Sequence, residues 1–234
     1  MLWKHSIGRL AGIVALVLSG AALAASPGSL PYSARGQEPG WHLAITGQAV
    51  TLEIAAGERF QATTPRPRRT GQRTRYDVVL GGRPSRITIE RRLCHDTMSG
   101  MPHPDRVSIF GLGPVLRGCG GLPRTLLGTN EWVVAQIAGT PVIAKAGATL
   151  QFLDDGALVG KASCNRFRSS FMLTGEGLTF GAAATTMMAC PPDIMQQEQS
   201  LLRQLEGVTG FDIRADGALI LKGKDGTALV ARRR

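Results

Sequence analysis

The sequence predicts a mainly β protein of the α+β class, built as two small antiparallel-sheet or barrel-like domains, the second with one covering helix. Short segments rich in Val, Ile, Leu, Thr and Phe alternate with polar residues, and the 30 glycines of the 234-residue chain punctuate them densely. A single long segment, DIMQQEQSLLRQLEGV, has helical spacing instead. We therefore expect antiparallel strands throughout and one helix near the C-terminus.

The N-terminus, residues 1–25, has the features of a secretory signal peptide. Lys4 and Arg9 precede the apolar run AGIVALVLSGAALA, which ends in an A-x-A cleavage pattern at residues 22–24. An uncleaved membrane anchor is the alternative, but the run is short for a span of about 20 residues. We expect export to the periplasm or otherwise to the cell envelope, with no transmembrane span after cleavage.

The first half, residues 26–123, reads as a β-rich domain. WHLAI and AVTLEI flank one predicted turn at residues 46–48, and RYDVVL and SRITIERRL flank another at residues 81–82. Between these pairs, residues 63–75 read TTPRPRRTGQRTR, whose proline and arginine content predicts an exposed loop.

The charge of the chain is basic and unevenly distributed. The formal net charge is +10, and residues 26–123 hold 13 arginines against 7 acidic residues. An exported basic protein does not usually meet nucleic acid, so this balance favours an anionic envelope component or an envelope protein as partner, with a solvated surface as the alternative. The candidate residues for binding an anionic surface are Arg66, Arg68, Arg69, Arg73 and Arg75.

The second half, residues 124–234, combines short strands with the predicted helix. Asp-Gly and Gly-rich turns separate most of the strands. The helix is expected to begin with Asp193 as its N-cap and to end at Gly207 in a left-handed conformation. Its apolar stripe comprises Ile194, Leu201, Leu202, Leu205 and Val208.

The four cysteines divide two and two between the halves. In an oxidising compartment this favours the disulfides Cys94–Cys119 and Cys164–Cys190, because only this pairing keeps each bridge within one half. A metal site at Cys94, His95 and Asp96 with His103 is a weak alternative, since no closely spaced ligand pair such as C-x-x-C occurs.

The sequence contains no complete catalytic or cofactor-binding motif. GALVGKAS lacks the spacing and the hydroxyl of a phosphate-binding loop, and G-x-S-x-G is absent. One loop combines His95, Asp96 and Ser99, which would suit a hydrolase if their geometry formed a triad. Loop residues of this kind more often bond their own backbone, so we expect a non-catalytic protein without cofactor or metal.

Several motifs of the second half resemble a known family. EWVVAQIAG, then DDGALVGKASCNRFRSSFML, then LTFGAAATTMMACPPDIMQQEQSLLRQLEGV and finally LILKGKDGTALVA occur in the order found in the META domain, also called HslJ-like. The first half resembles an uncharacterised bacterial envelope domain often joined to META. That resemblance rests on YSARGQEPGW, CHDTMSGMPHPDRV and RGCG.

The resemblance implies a small secreted or membrane-associated protein linked to stress and antibiotic tolerance, with no established reaction. We therefore expect a binding or protective role at the cell envelope. An inhibitor of a cell-wall hydrolase such as lysozyme is one alternative, because a small disulfide-bonded β domain can present a rigid loop to a cleft. The hydrolase built on His95, Asp96 and Ser99 is the other.

The signal peptide gives a direct prediction. Mass spectrometry of the exported protein should find a mature N-terminus near Ala25 or Ser26, because the small residues before it fit the processing site. An exported form that still begins at Met1 would refute cleavage.

Overall fold

The computed structural model describes residues 28–55, 57–128 and 130–234. Two antiparallel sheets make up most of this part of the chain, which confirms the mainly β prediction. The predicted signal peptide, residues 1–25, lies outside the described residues. Within the described ranges, none of the helices has the length and apolar character that crossing a membrane requires.

The first sheet is formed by the N-terminal half. Its nine strands within the described residues are β1 (Tyr32–Gln37), β2 (Gly40–Ile45), β3 (Ala49–Ile54), β4 (Arg59–Thr63), β5 (Arg68–Thr70), β6 (Arg73–Leu80), β7 (Arg83–His95), β8 (Pro102–Phe110) and β9 (Leu116–Gly120). Their spatial order is β4-β3-β2-β1-β9-β8-β7-β6-β5, and the sheet curves into a half-barrel. The first and last strands therefore pair at its centre, where Ala34 lies opposite Gly120.

Alternation along each strand decides which face of this sheet is the core. In β6, Thr74, Tyr76, Val78 and Leu80 are buried, whereas the residues between them point to the opposite face. The buried face packs the apolar side chains Trp41, Leu43, Ile45, Leu52, Tyr76, Ile87, Ile89, Val107 and Ile109. We call the opposite, polar face of the first sheet its outer face.

The second sheet is formed by the C-terminal half. Its strands within the described residues are β10 (Trp132–Ile137), β11 (Thr140–Pro141), β12 (Thr149–Phe152), β13 (Ala157–Lys161), β14 (Arg166–Leu173), β15 (Leu178–Phe180), β16 (Ala184–Thr185), β17 (Val208–Ile213), β18 (Leu219–Gly223) and β19 (Gly226–Arg233). The main order is β15-β14-β13-β12-β10-β19-β18-β17, with β11 paired to β10 and β16 paired to β14. Because β15 also lies beside β17, the sheet forms a nearly closed barrel.

Two helices accompany the second sheet, where the sequence predicted one. The additional helix, α1 (Arg124–Leu127), is a single turn whose Leu127 carbonyl accepts a hydrogen bond from the indole of the buried Trp132 (2.8 Å). The predicted helix is α2 (Pro192–Glu206), which buries Leu201 and Leu205 against the barrel core.

Both expected ends of α2 differ from the prediction. The helix begins two residues earlier than expected, so Asp193 lies in the first turn and Pro191 occupies the N-cap position without a side-chain hydrogen bond. An acidic residue in the first turn still interacts favourably with the helix dipole. Gly207 ends the helix with a right-handed φ of −88°, because its N–H bonds back to the carbonyls of Gln204 and Leu205 without a left-handed turn.

Residues 68–75 form a hairpin, where the sequence predicted a loop over all of residues 63–75; residues 64–67 have no regular secondary structure. Strand β5 pairs with β6 at the edge of the first sheet, with Arg68 opposite Arg75 and Thr70 opposite Arg73. The prolines at 65 and 67 made this segment resemble a loop. They lie just before the strand, however, so all of its own backbone N–H groups remain available for pairing. We call residues 66–75 the arginine hairpin.

Candidate functional site

The loop that joins β7 to β8 is organised around one carboxylate. Oδ1 of Asp96 accepts hydrogen bonds from the backbone N–H groups of Met98 (3.0 Å) and Ser99 (2.9 Å) and from the Ser99 hydroxyl (3.0 Å). Its Oδ2 accepts one from the side chain of Gln37 (3.1 Å). Burial would raise the pKa of Asp96, but these hydrogen bonds outweigh it and lower the pKa to about 2. Asp96 is therefore ionised, and its hydrogen bonds stabilise the conformation of this loop.

The two neighbouring histidines have other partners. Nε2 of His95 lies 2.7 Å from Oδ1 of Asp212, a residue of β17 in the second half, and Nζ of Lys222 lies 3.1 Å from Oδ2 of the same carboxylate. Nδ1 of His103 lies 3.0 Å from the carbonyl oxygen of Gly121. Burial lowers the pKa of His103, and the nearby Arg35 lowers it further.

The proposed triad is thus not arranged for proton transfer in this structure. Ser99 donates its hydroxyl proton directly to Asp96, whereas a nucleophilic serine would need a histidine at that position. His95 is bonded to Asp212 across the two halves instead. The three residues lie in one loop, as the sequence indicated, but their side chains serve separate structural contacts.

The metal alternative at this loop is excluded by the state of its thiol. Cys94 forms a disulfide with Cys119, so its sulfur is not available as a thiolate ligand. Among the described residues, no group of three or more His, Cys, Asp or Glu side chains could hold a metal ion.

The same loop joins the two halves of the chain. Met101 is 5% exposed and packs into the core of the second sheet rather than the first. A cavity of about 300 Å³ lies beside it, lined by Arg35, Ser99 and His103 from the first half and by Phe171 and Leu173 from the second. The loop is consequently a connection between the two sheets.

A second polar cluster lies at the corner between β13 and β14. The disulfide Cys164–Cys190 is formed, with the pairing that the sequence predicted. Ser163 adopts a φ of +122°, and the N–H of Ala162 donates to the Asn165 carbonyl (2.7 Å), so the chain turns tightly here. Backbone of this conformation favours glycine, so the serine at residue 163 is held in a strained conformation.

A buried carboxylate fixes this corner to helix α2. Oε2 of Glu198 accepts hydrogen bonds from the backbone N–H groups of Cys164 (3.0 Å) and Asn165 (2.7 Å), and its Oε1 accepts one from the Asn165 amide (2.8 Å). The side-chain oxygen of Asn165 in turn accepts from the Thr186 hydroxyl (2.8 Å) and the Met188 N–H (2.7 Å). Asn165 thus supports more than the local turn that the sequence indicated.

Glu198 was not among the predicted site residues, although the sequence contained a signal for it. Glu198 lies three positions before Leu201 and seven before Leu205, which places a carboxylate on the apolar stripe of the helix. A charged residue at a core position is almost never fully buried unless it is paired. The charge therefore indicated a specific polar partner under the helix.

The five predicted anion-binding arginines do not act as one group. Arg73 is paired with Glu90 (3.2 Å) and Arg75 with Asp77 (2.7 Å). Arg69 lies opposite the buried Thr74, so its side chain leaves the sheet on the face opposite to that of Arg68. Arg66, Arg68 and Arg69 have no acidic partner within the described part of the chain.

Comparison with known proteins identifies the second half. A family model of the META domain matches residues 125–234. The C-terminal half is a META domain. The Cys164–Cys190 bridge, the Asn165–Glu198 cluster and the closing strand β19 all lie within it. This agrees with the resemblance carried by its motifs, whereas the resemblance of the first half stays a prediction.

Two solved structures show partial similarity. An NMR structure of a protein from Burkholderia xenovorans is 29% identical, covers 47% of this chain and 84% of its own, and has a TM-score of 0.39. Another NMR structure is 24% identical, covers 45% of this chain and 89% of its own, and has a TM-score of 0.38. A search of curated proteins found no match.

The Glu198 cluster predicts the effect of an isosteric change. Glu198→Gln should lower the free energy of unfolding by about 3 kcal/mol, because the new amide group would face an N–H donor inside the protein. Urea unfolding of the META domain within the full chain measures this. Glu206→Gln is the matched control, since Glu206 is exposed at the end of the same helix. Equal stability of both variants would contradict the role of Glu198.

The low pKa of Asp96 predicts a pH dependence. A carboxyl group whose pKa is lower in the folded state stabilises the protein above its ordinary pKa, and this stabilisation is lost as the pH falls. Asp96→Asn should lower the free energy of unfolding at pH 7 by roughly 2 kcal/mol, and between about pH 4 and pH 2 it should lose less stability than the wild type.

Urea unfolding at stepped pH measures both quantities for Asp96→Asn. Asp225→Asn is the control, because Asp225 is an exposed turn residue. Parallel stability curves for the wild type and Asp96→Asn would show that Asp96 contributes nothing by being ionised.

Proposed function

We propose that this is an exported, non-catalytic protein of the cell envelope that binds an anionic envelope component through its first half. The observation that carries the proposal is a difference between two groups of charged residues. The candidate catalytic groups Asp96, Ser99 and His95 are engaged in structural hydrogen bonds. Many arginines of the first half instead face solvent and have no acidic partner in the part of the chain that the structure describes.

The disulfides support the compartment in this proposal. Disulfides persist in oxidising environments such as the periplasm and are rare in the cytosol. Each half contains one bridge, Cys94–Cys119 in the first and Cys164–Cys190 in the second. A stable, cross-linked protein suits a protective role in stress or antibiotic tolerance, which is the role that the META resemblance implies.

The arginine hairpin is the part of the first half best placed to reach a charged surface. It lies at the free edge of the first sheet, and Arg66, Arg68 and Arg69 are exposed there. Guanidinium groups bind phosphate and carboxylate bidentately, so an edge of this kind suits anionic lipid or lipopolysaccharide. Arg73 and Arg75 would contribute less, because each is bonded to a carboxylate.

One observation favours inhibition of a cell-wall hydrolase as a second candidate. Met187 is 98% exposed, although its neighbour Met188 is held by hydrogen bonds to Asn165 and the segment ends at the Cys164–Cys190 bridge. An exposed apolar side chain on a fixed segment is suited to insertion into a cleft. Assays of lysozyme inhibition and of ester hydrolysis with the purified protein distinguish the inhibitor and the hydrolase from the anion-binding protein.

The proposal predicts salt-sensitive binding to anionic vesicles. Replacing Arg66, Arg68 and Arg69 with Gln should weaken binding by about two orders of magnitude at low salt, since each basic residue near an anionic surface contributes about 1 kcal/mol. Co-sedimentation with vesicles containing anionic lipid or lipopolysaccharide measures the affinity, which should fall further as salt rises.

A charge-matched control separates the hairpin from net charge. Replacing Lys145, Arg203 and Lys224 of the META domain with Gln removes the same charge from exposed positions that have no acidic partner within the described residues. If this control weakens binding as much as the hairpin variant, or if neither variant changes it, the hairpin is not the binding element.

A further inference from the structure

A cleft on the outer face of the first sheet has the features of a built anion site. Its cavity of about 420 Å³ is lined by three arginines from three different strands, Arg35 of β1, Arg106 of β8 and Arg117 of β9. The Cys94–Cys119 disulfide forms part of the same lining. These arginines are distant in sequence from the arginine hairpin, and sequence analysis did not select them.

The strand register places the three arginines around one short side chain. Arg106 and Arg35 each lie directly opposite Cys119, on either side of β9. Neighbouring strands are about 4.8 Å apart, so the backbones of Arg106 and Arg35 are separated by about 10 Å. Arg117 is two residues before Cys119 on the same strand and therefore points to the same face. All three arginines therefore extend from the face of the sheet that holds Cys119.

Unlike several other arginines of the outer face, the arginines of this cleft have no acidic partner among the described residues. Within the described residues, Arg35, Arg106 and Arg117 form no ion pair, whereas Arg73 and Arg86 of the same face are bonded to carboxylates. Each guanidinium retains five N–H donors for a ligand. The cleft is therefore an accumulation of unused donors and positive charge.

The two acidic residues at the cleft, Asp96 and Glu38, offset only part of the charge of its three arginines. Asp96 is committed to its loop and to Gln37 through four hydrogen bonds. Glu38 is exposed at the rim, so solvent screens it. His95 is bonded to Asp212 of the META domain.

The backbone beneath the cleft is held closely. A Cβ on Gly118 would lie 2.0 Å from the carbonyl oxygen of Arg35, so β9 and β1 approach each other more tightly than any other residue would permit. The indole of the buried Trp41 donates to the carbonyl oxygen of Arg117 (3.3 Å). These contacts and the disulfide fix the strands from which the arginines extend, which reduces the entropy lost on binding.

We propose that this cleft binds a phosphate monoester carried on a hydroxylated body, such as a phosphorylated sugar. The three guanidinium groups take the phosphate oxygens, because bidentate Arg–phosphate contacts are the strong form of this interaction. The cavity is larger than a phosphate group, and Gln37, Glu38 and Thr97 line it with groups that hydrogen-bond hydroxyls. The inference deepens the proposed function by naming a ligand class at a defined site.

Glucose 1-phosphate is the probe, with titration followed by calorimetry and by amide chemical shifts of the full mature chain. We expect saturable binding that neutral glucose does not reproduce and that inorganic phosphate reproduces only weakly. Replacing Arg35, Arg106 and Arg117 with Gln should reduce the affinity at least tenfold, or about 1.4 kcal/mol. Arg106→Lys should recover only part of the loss in an Arg106→Gln variant, because lysine keeps the charge but not the bidentate geometry.

Three exposed basic residues of the META domain provide the matched control. Replacing Lys145, Arg203 and Lys224 with Gln removes the same charge and should leave glucose 1-phosphate binding unchanged. Equal affinity of the cleft variant and the wild type, or no saturable binding of glucose 1-phosphate, would overturn the inference. Inorganic phosphate binding as tightly as glucose 1-phosphate would overturn the assignment of a sugar. Unchanged amide shifts in β3 and β6, strands of the first sheet that do not line the cleft, would show that the cleft variant is folded.

Vesicles of lipid A, whose head group is a phosphorylated disaccharide, distinguish the two sources of such a group. A cleft variant that loses both ligands supports a lipid-linked glycan. A cleft variant that loses only glucose 1-phosphate supports a free sugar phosphate. Failure of the hairpin to affect vesicle binding would refute the proposed surface function while leaving the cleft intact, so the two failures are distinguishable.

Discussion

The position of the helix in the META domain depends on the hydrogen bonds of one buried carboxylate, that of Glu198. It receives two backbone N–H groups at the Cys164–Asn165 turn and the Asn165 side chain, all inside the protein. A buried charge is tolerated only where such donors surround it. The helix therefore cannot slide or rotate on the barrel without exposing either the charge or its donors. The cysteine bridge holds the chain before the helix, whereas the carboxylate determines how the helix is seated.

The β-rich class, the hairpins and the main helix could be predicted from the sequence because each depends on local patterns. Alternation and turn residues identify β6 and β7, for example, without knowledge of the rest of the fold. The pairing of β1 with β9 and the hairpin at residues 68–75 could not be predicted in this way. The first is a contact between distant segments, and the second is an edge strand whose polar residues resemble a loop.

Among the candidate sites, too, some could be predicted from the sequence and others depend on how distant segments pair. The disulfides were predicted from the expected oxidising compartment and from the cysteine count, which are properties of the chain as a whole. The separation of the five hairpin arginines depends on which face each residue points to and on which acid lies opposite. Arg35, Arg106 and Arg117 come together only through the register of three strands. Glu198 is the intermediate case, because its position on an apolar stripe was visible in the sequence.

Because β9 pairs with both β1 and β8, it is the strand that joins the two parts of the first sheet. Strands β1 to β4 and strands β5 to β8 are two consecutive meanders, and β9 is the element that hydrogen-bonds to both. Without β9, each meander would expose a hydrogen-bonding edge, at β1 and at β8, of the kind that recruits strands from other chains. Until β9 is in place, therefore, strands β1 to β8 can form only two sheets with open edges. The chain becomes one protected sheet only when its last five-residue strand arrives.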